Sequence, residues 1–346
     1  MVGNPEPIHI GAHLHEAARD LGLMVHFCDV RQASEGWRWQ ARLSWRLREH
    51  RPLRLRGFSR TVVDACRESK ASWLLAAGIA PVDEEALISI GQLGVRRVNY
   101  LTDDPWNPAH RAAWFLEALP HYDHVFSPRL SNLEALRAHG CLLVSYLPFA
   151  YAPSQHWYER SQPDEAKLAS EVIFVGGADR DRLPFVAGLI AAGLQVALYG
   201  GYWSRYPETR EQDRGHADPS TLRKATGAAK ISLCLVRRAN RDGHVMRSFE
   251  IPAIGACMLV EDTEEHREIF GPNGEAVVYF RSIPEMTDKA RWLLDRPAER
   301  QRLAAAAHSR IVTGSHTYQD RLATMLGIHT KDHEDCYRHP RSLSWV

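Results

Sequence analysis

The chain has 346 residues, long enough for two domains of ordinary size, and 45% of them are hydrophobic, so each domain can bury a core. Its 43 basic and 42 acidic side chains nearly cancel, which argues against a protein built to coat nucleic acid. The six cysteines (28, 66, 141, 234, 257 and 336) show no CxxC or metal-ligand spacing, no apolar run reaches membrane-spanning length, and Pro5, Glu6 and Pro7 interrupt any signal peptide, so reduced core thiols and a cytoplasmic location are expected.

Strands alternate with helices along the whole chain, the pattern of two parallel-sheet domains. In the first half, strands are predicted at Met24–Phe27, Trp73–Ala76, Arg97–Leu101, His124–Phe126 and Leu142–Tyr146. Helices are predicted between them at about His13–Leu21, Arg60–Ser69, Glu84–Leu93, Ala109–Glu117 and Ser131–Ala138. The segment 31–60 holds nine arginines, two glutamates and tryptophans at 37, 39 and 45. A helix of that composition could lie on an anionic membrane surface, dock an acidic acceptor or hold nucleic acid, although a solvated helix at a domain edge is the plainer reading. Asp103 and Asp104 follow a strand, where ligands of open parallel sheets bind; the pair could supply a base, hold a metal, or simply form a turn before Pro105. Pro148, Pro153 and the polar stretch 154–169 mark a linker, giving expected boundaries of 1–150, 151–169, 170–327 and a tail of 328–346.

In the second half, VIFVGG at 172–177, a helix to Ala192, QVALYGG at 195–201, a helix opened by Asp218 and Pro219, and ISLCLV at 231–236 form a βαβαβ unit. Gly176 and Gly177 let a phosphate approach the backbone, with Arg180 and Arg182 in reach of it. Tyr199 ends the next strand on the same side, either as core packing or as a base or sugar contact. Arg237, Arg238, Arg241 and Arg247 cluster before a helix expected to begin near Ser248, with Pro252 in its first turn, Gly255 at its end and Cys257–Val260 as the next strand. Glu250 then lies at the positive end of that helix, where a carboxylate can accept hydrogen bonds from both hydroxyls of a ribose and the free amides and arginines can neutralise a diphosphate. The plainer reading of Glu250 is an acid that only complements the helix dipole.

SFEIPAIGACMLVED at 248–262, EIFGPNGEAVVYF at 268–280 and SHTYQDRL at 315–322 occur in one order, and YLTDDPW at 100–106 adds a looser N-terminal match. In these segments the chain resembles the spore-maturation CgeB-like glycosyltransferases, relatives of the family-4 retaining enzymes with the GT-B fold. The resemblance implies two Rossmann-like domains facing a cleft and a nucleotide-sugar donor as co-substrate in the C-terminal domain, with neither cofactor nor metal. It places an acceptor near Asp104, Asp103 and the loop holding His9, Gly11 and His13. It also implies a first strand ahead of Gly3, where only Met1 and Val2 stand, so that strand is very short or the chain lacks residues of the ancestral fold. Family-4 enzymes carry an acidic residue seven positions before the ribose glutamate; here that position is Gly243, and Asp242 or His244 is the candidate substitute. The acceptor is unidentified, with an anionic or membrane-proximal one suggested by the arginine-rich segment, and no nucleic-acid partner is expected. A GT-B epimerase or phosphorylase, or a non-catalytic coat protein that kept the fold, are the alternative readings.

Overall fold

The computed structural model describes residues 1–35 and 49–328. The expectations for Trp37, Trp39, Trp45, Arg42, Arg46 and Arg48, and for Cys336 and the tail from 329, lie outside the described residues.

Two parallel sheets form, as the alternation of apolar and amphipathic runs requires. The first contains β1 (Val2–Gly3), β2 (Cys28–Asp29), β3 (Trp73–Ala77), β4 (Arg96–Tyr100), β5 (His124–Ser127) and β6 (Val144–Tyr146), in the order β2-β1-β3-β4-β5-β6. Its helices are α1 (Ile10–Asp20), α2 (Leu55–Glu68), α3 (Glu84–Gln92), α4 (Ala113–Ala118) and α5 (Leu130–Ala138). The second contains β7 (Val172–Val175), β8 (Val196–Tyr199), β9 (Ile231–Cys234), β10 (Met258–Glu261) and β11 (Val278–Phe280), in the order β11-β10-β9-β7-β8. Around it lie α6 (Leu183–Ala191), α7 (Pro219–Ala228), α8 (Arg247–Ile254), α9 (Glu264–Phe270), α10 (Ile283–Leu294), α11 (Pro297–Val312) and α12 (Tyr318–Leu326).

Three elements depart from the sequence expectation. β1 is a two-residue strand whose Val2 pairs with Cys28 on one side and Ala76 on the other, so β2 starts at Cys28 rather than Met24. The Asn107 side chain and carbonyl accept from the amides of Ala109, His110 and Arg111, and this turn delays α4 until Ala113. α2 begins five residues before Arg60, at Leu55.

The two sheets share buried material. One apolar cluster runs from Leu14 and Tyr100 of the first domain through Phe149 to Phe249, Met258, Tyr318 and Leu322. α12 follows the second sheet in sequence but packs against α1 of the first. Its start is fixed by a capping box between Thr317 and Asp320, and Arg321, 5% exposed, donates to the carbonyls of Pro148 and Phe149 at 2.8 and 3.0 Å. No helix among the described residues is long and apolar enough to cross a membrane, and the five described cysteines are buried free thiols.

Candidate active site

β9 ends at Cys234, and a loop of residues 235–246 leads to α8. The helix starts at Arg247, so Pro252 is its sixth residue, beyond the first turn where proline is best tolerated. The helix is only eight residues long, and Gly255 ends it at φ +86°. The amides of Ser248, Phe249 and Glu250 already donate to the carbonyls of Val245 and Met246. Three of the early amides that the sequence offered to an anion are therefore already taken within the turn.

Glu250 is 2% exposed and its carboxylate faces two bases. Arg247, three residues earlier, forms an ion pair with it, and His156, on the crossing between the domains, brings Nε2 to 3.6 Å from Oε1. The Ala152 amide donates to His156 Nδ1 at 3.0 Å, which puts the ring proton on Nε2, toward Glu250. His13 of α1 completes the cluster, edge-on to His156 with centroids 5.6 Å apart and stacked on Tyr318 at 5.1 Å. Burial pushes His13 down to about 4, with Arg247 adding to the effect. Burial likewise holds His156 well below its ordinary range, reinforced by His13 and Arg247. Both rings are neutral at pH 7, and His13 Nε2 is buried without a hydrogen-bond partner. Arg247 is lowered by desolvation to about 10 and stays cationic. A cavity of 40 Å³ lies against Glu250, Arg247, His156, Val175 and Arg223.

The other arginines of the loop face carboxylates of their own, Arg237 only loosely. Arg238 pairs with Glu261 at the end of β10, and Arg237 lies 3.8 Å from Asp179. Arg241 donates to both oxygens of Asp104, at 2.6 and 3.1 Å, and to Asn132 at 2.9 Å. Arg129 holds Asp242 at 2.5 Å, and Asn107 donates to Asn240 at 2.5 Å. The loop is thus a latch between the domains, and Asp242 faces a first-domain arginine. His244 belongs to the same latch: its Nε2 accepts the Phe149 amide at 3.1 Å, so its Nδ1 carries the proton that reaches Glu265 at 2.5 Å. Glu265 also explains Gly243, because a Cβ there would come within 2.4 Å of the Glu265 side chain. The acid missing at 243 has its space filled by a carboxylate from α9.

Ser248 is fully buried; its hydroxyl accepts the Val245 amide and pairs with His266, so it anchors the helix start. Gly176 packs against Gly200, whose Cβ would meet the Gly176 carbonyl at 2.4 Å, and Gly176 O accepts from Trp203 Nε1 at 2.8 Å. This brings the ends of β7 and β8 together beside α8, where the Arg247 Nε donates to Val175 O at 3.3 Å. Arg182 is 7% exposed, near Asp179 at 3.6 Å and over the Phe174 ring, while Arg180 is exposed. Tyr199 is buried with Leu168, Ile173, Ala197 and Ala225, which is the packing alternative.

In the first domain the two aspartates separate. Asp104, 1% exposed, is enclosed by its Arg241 pair and the Trp106 amide, a geometry that withholds it from an acceptor. Asp103 instead lines a cavity of 500 Å³ together with His9, Gly11 and Met246. Sequence reading missed His156, Tyr318, Arg321 and Glu265. Tyr318 and Arg321 stand inside the SHTYQDRL motif, which was the available signal; His156 sits in a stretch read only as linker.

Residues 182–327 match the Glycosyl transferase-like family. No curated protein matches the chain. Among solved structures, sucrose-phosphate synthase from Thermosynechococcus elongatus is similar at a TM-score of 0.59 and 12% identity, covering 79% of this chain and 76% of that one. HepE of Anabaena in complex with UDP-glucose gives 0.56 and 13%, covering 90% and 88%. MnaA of S. aureus with UDP gives 0.53 and 12%, covering 96% of each chain. The fold is GT-B: two Rossmann-like domains with parallel sheets facing a cleft. The family match together with that fold supports a GT-B glycosyltransferase.

Proposed function

We propose that the chain transfers a sugar from a nucleotide-sugar donor, held by the C-terminal domain, to an acceptor hydroxyl presented by the N-terminal domain. The observation that carries this is Glu250: a carboxylate 2% exposed, one turn into α8, between the cation Arg247 and the Nε2 proton of His156. Buried carboxylates persist where partners compensate them, and a ribose diol supplies two more donors. The 40 Å³ cavity is far below the roughly 300–1,000 Å³ of ligand sites. Nucleotide entry therefore parts the Arg247–Glu250 pair, freeing Arg247 for the diphosphate.

In the transfer, the bond from the anomeric carbon to the diphosphate oxygen breaks and a bond to the acceptor oxygen forms. The acceptor proton passes to the departing diphosphate, which gives retention. Arg247, with Arg182 and Arg237, neutralises the leaving group, so that no divalent metal is required, and the neutral His13 offers its unpartnered Nε2 to a sugar hydroxyl. HepE with UDP-glucose and MnaA with UDP make uridine nucleotides the first donors to test.

Titration calorimetry with UDP, GDP, dTDP and CDP on wild type and Glu250→Ala tests the reading. One nucleotide should bind, and the variant should lose about 1.5–3 kcal/mol, roughly 10- to 150-fold. A folded variant with unchanged affinity removes the ribose assignment. Donor converted without any acceptor points to an epimerase.

A further inference from the structure

At the end of the first sheet remote from the cleft, an apolar cavity of 620 Å³ opens at the amino ends of β1 and β3. Three helices wall it: α1 through Ala18, α2 through Val62 and Ala65, and α12 through Leu322 and Leu326. The volume falls in the roughly 300–1,000 Å³ range of ligand sites, and open apolar surface of this kind marks a place of interaction. Along the rim Leu23 and Val25 are half-buried while Met24 between them stands fully exposed. That run leads into β2, the outermost strand of the sheet among the described residues, and an open strand edge is a template for one more extended segment.

The chain supplies a segment that sets out from this rim. α12 is closed by Gly327 at φ +66°, with the Gly327 amide on Thr324 O and the Ile328 amide on Ala323 O. This is a Schellman turn, and it folds Ile328 back onto the cavity wall. Residues 329–341 are mostly polar, and after Pro340 and Arg341 the residues Ser342, Leu343, Ser344 and Trp345 alternate polar with apolar. In an extended segment that period puts Leu343 and Trp345 on one face. At roughly 3.3 Å per extended residue, the stretch between Ile328 and Leu343 crosses the cavity with slack to return.

We propose that this cavity is the docking site of the chain's own segment 342–346, with the Leu343 and Trp345 side chains filling it and the backbone lying along the 23–28 edge. α12 follows the second sheet in sequence yet packs on α1 of the first. A segment seated across α1, α2 and α12 therefore straps that return crossing in place. The proposal is independent of what the cleft binds.

Two measurements on the full chain test it. Hydrogen–deuterium exchange compares wild type with Leu343→Ser/Trp345→Ser. Amides of 23–28 and 322–328 should exchange about tenfold faster or more in the variant, while those of β9 and β10 keep their wild-type rates. Unchanged exchange at the rim overturns the proposal. In the second measurement p-benzoylphenylalanine replaces Trp345, and unlabelled and isotopically heavy chains are mixed before irradiation. Cross-links should join the probe to Met24, Ala65 or Leu326 of the same chain. Cross-links between unlabelled and heavy chains, which would seat a second copy in the cavity, or cross-links scattered outside it, overturn the proposal.

Discussion

Arg241 lies in the left-handed region at φ +54° and delivers its guanidinium across the domain boundary onto Asp104, so the second domain's loop is clasped by a first-domain carboxylate. Asp104 is 1% exposed and Arg241 remains 43% exposed at its side chain, so removing the arginine strands a buried acid whereas removing the acid only releases a solvated cation. Arg241→Ala should therefore cost about 1–3 kcal/mol of stability and Asp104→Asn less. Urea unfolding of both singles and the double variant should show a coupling that accounts for most of the loss. Nucleotide affinity should be retained in Asp104→Asn. Abolished transfer at unchanged stability would restore Asp104 as a reacting group.

In the proposed donor grip, His156 is a positioning residue that acts through Glu250. If Glu250 meets the ribose as proposed, 2′-deoxy nucleotides should bind wild type about tenfold or more weakly than their ribo counterparts, one lost charged hydrogen bond. In His156→Ala the ratio should fall toward one, and His156→Gln, which keeps an N–H donor, should recover part of it. Calorimetry with the paired nucleotides decides: equal weakening of both, with the ratio intact, would leave His156 a merely structural role.

Gly243 offers a test by suppression. A methyl group there collides with the Glu265 side chain, which holds His244, which in turn accepts the Phe149 amide. Gly243→Ala should cost about 1–3 kcal/mol, the usual scale of overpacking. Shortening the opposing side chain in Gly243→Ala/Glu265→Ala should make the double variant less destabilised than the sum of the singles. Additive thermal unfolding losses would show that the two positions do not compete for one space.

Acid should weaken the protein before its carboxylates titrate. Burial lowers His13 and His316 to about 4 and His266 to about 3, while the unfolded chain takes up protons near 6.5. Below 6.5 the unfolded state binds more protons, so stability is full above that pH and falls as pH drops toward 4. Each such histidine contributes a slope of about 1.4 kcal/mol per pH unit within the window. Urea unfolding at several pH values should show this decline, and His13→Asn should flatten it by about one proton. An unchanged slope in the variant would mean that His13 is protonated in the folded protein.

What the sequence revealed was local. Glu250, Gly255 and the strands of the second sheet are specified within short windows, where glycine, proline and apolar runs act on their own neighbourhood. The partners of the arginines were not visible, since Asp104 lies 137 positions from Arg241 and charge density along a chain says nothing of which acid stands opposite. Pro252 misled for a related reason: the helix start is set by Val245 and Met246 carbonyls accepting early amides, a three-dimensional detail that moved the proline out of the first turn. His156 reads as one histidine in a polar linker until the fold carries it to Glu250.

The chain passes between the domains twice, and both passages are stitched at one point: the Tyr151 amide donates to His316 O at 3.0 Å and the Tyr318 amide to Tyr151 O at 3.1 Å. Two covers bound along a single spine can swing but cannot slide. Groups beside that spine, Tyr318 and the His13 ring lying on it, travel least in such a swing. Any swing that parts the domains on the far side of that spine has to undo the clasps that Arg241 and Asp242 make with Asp104 and Arg129, while His13 stays nearly still.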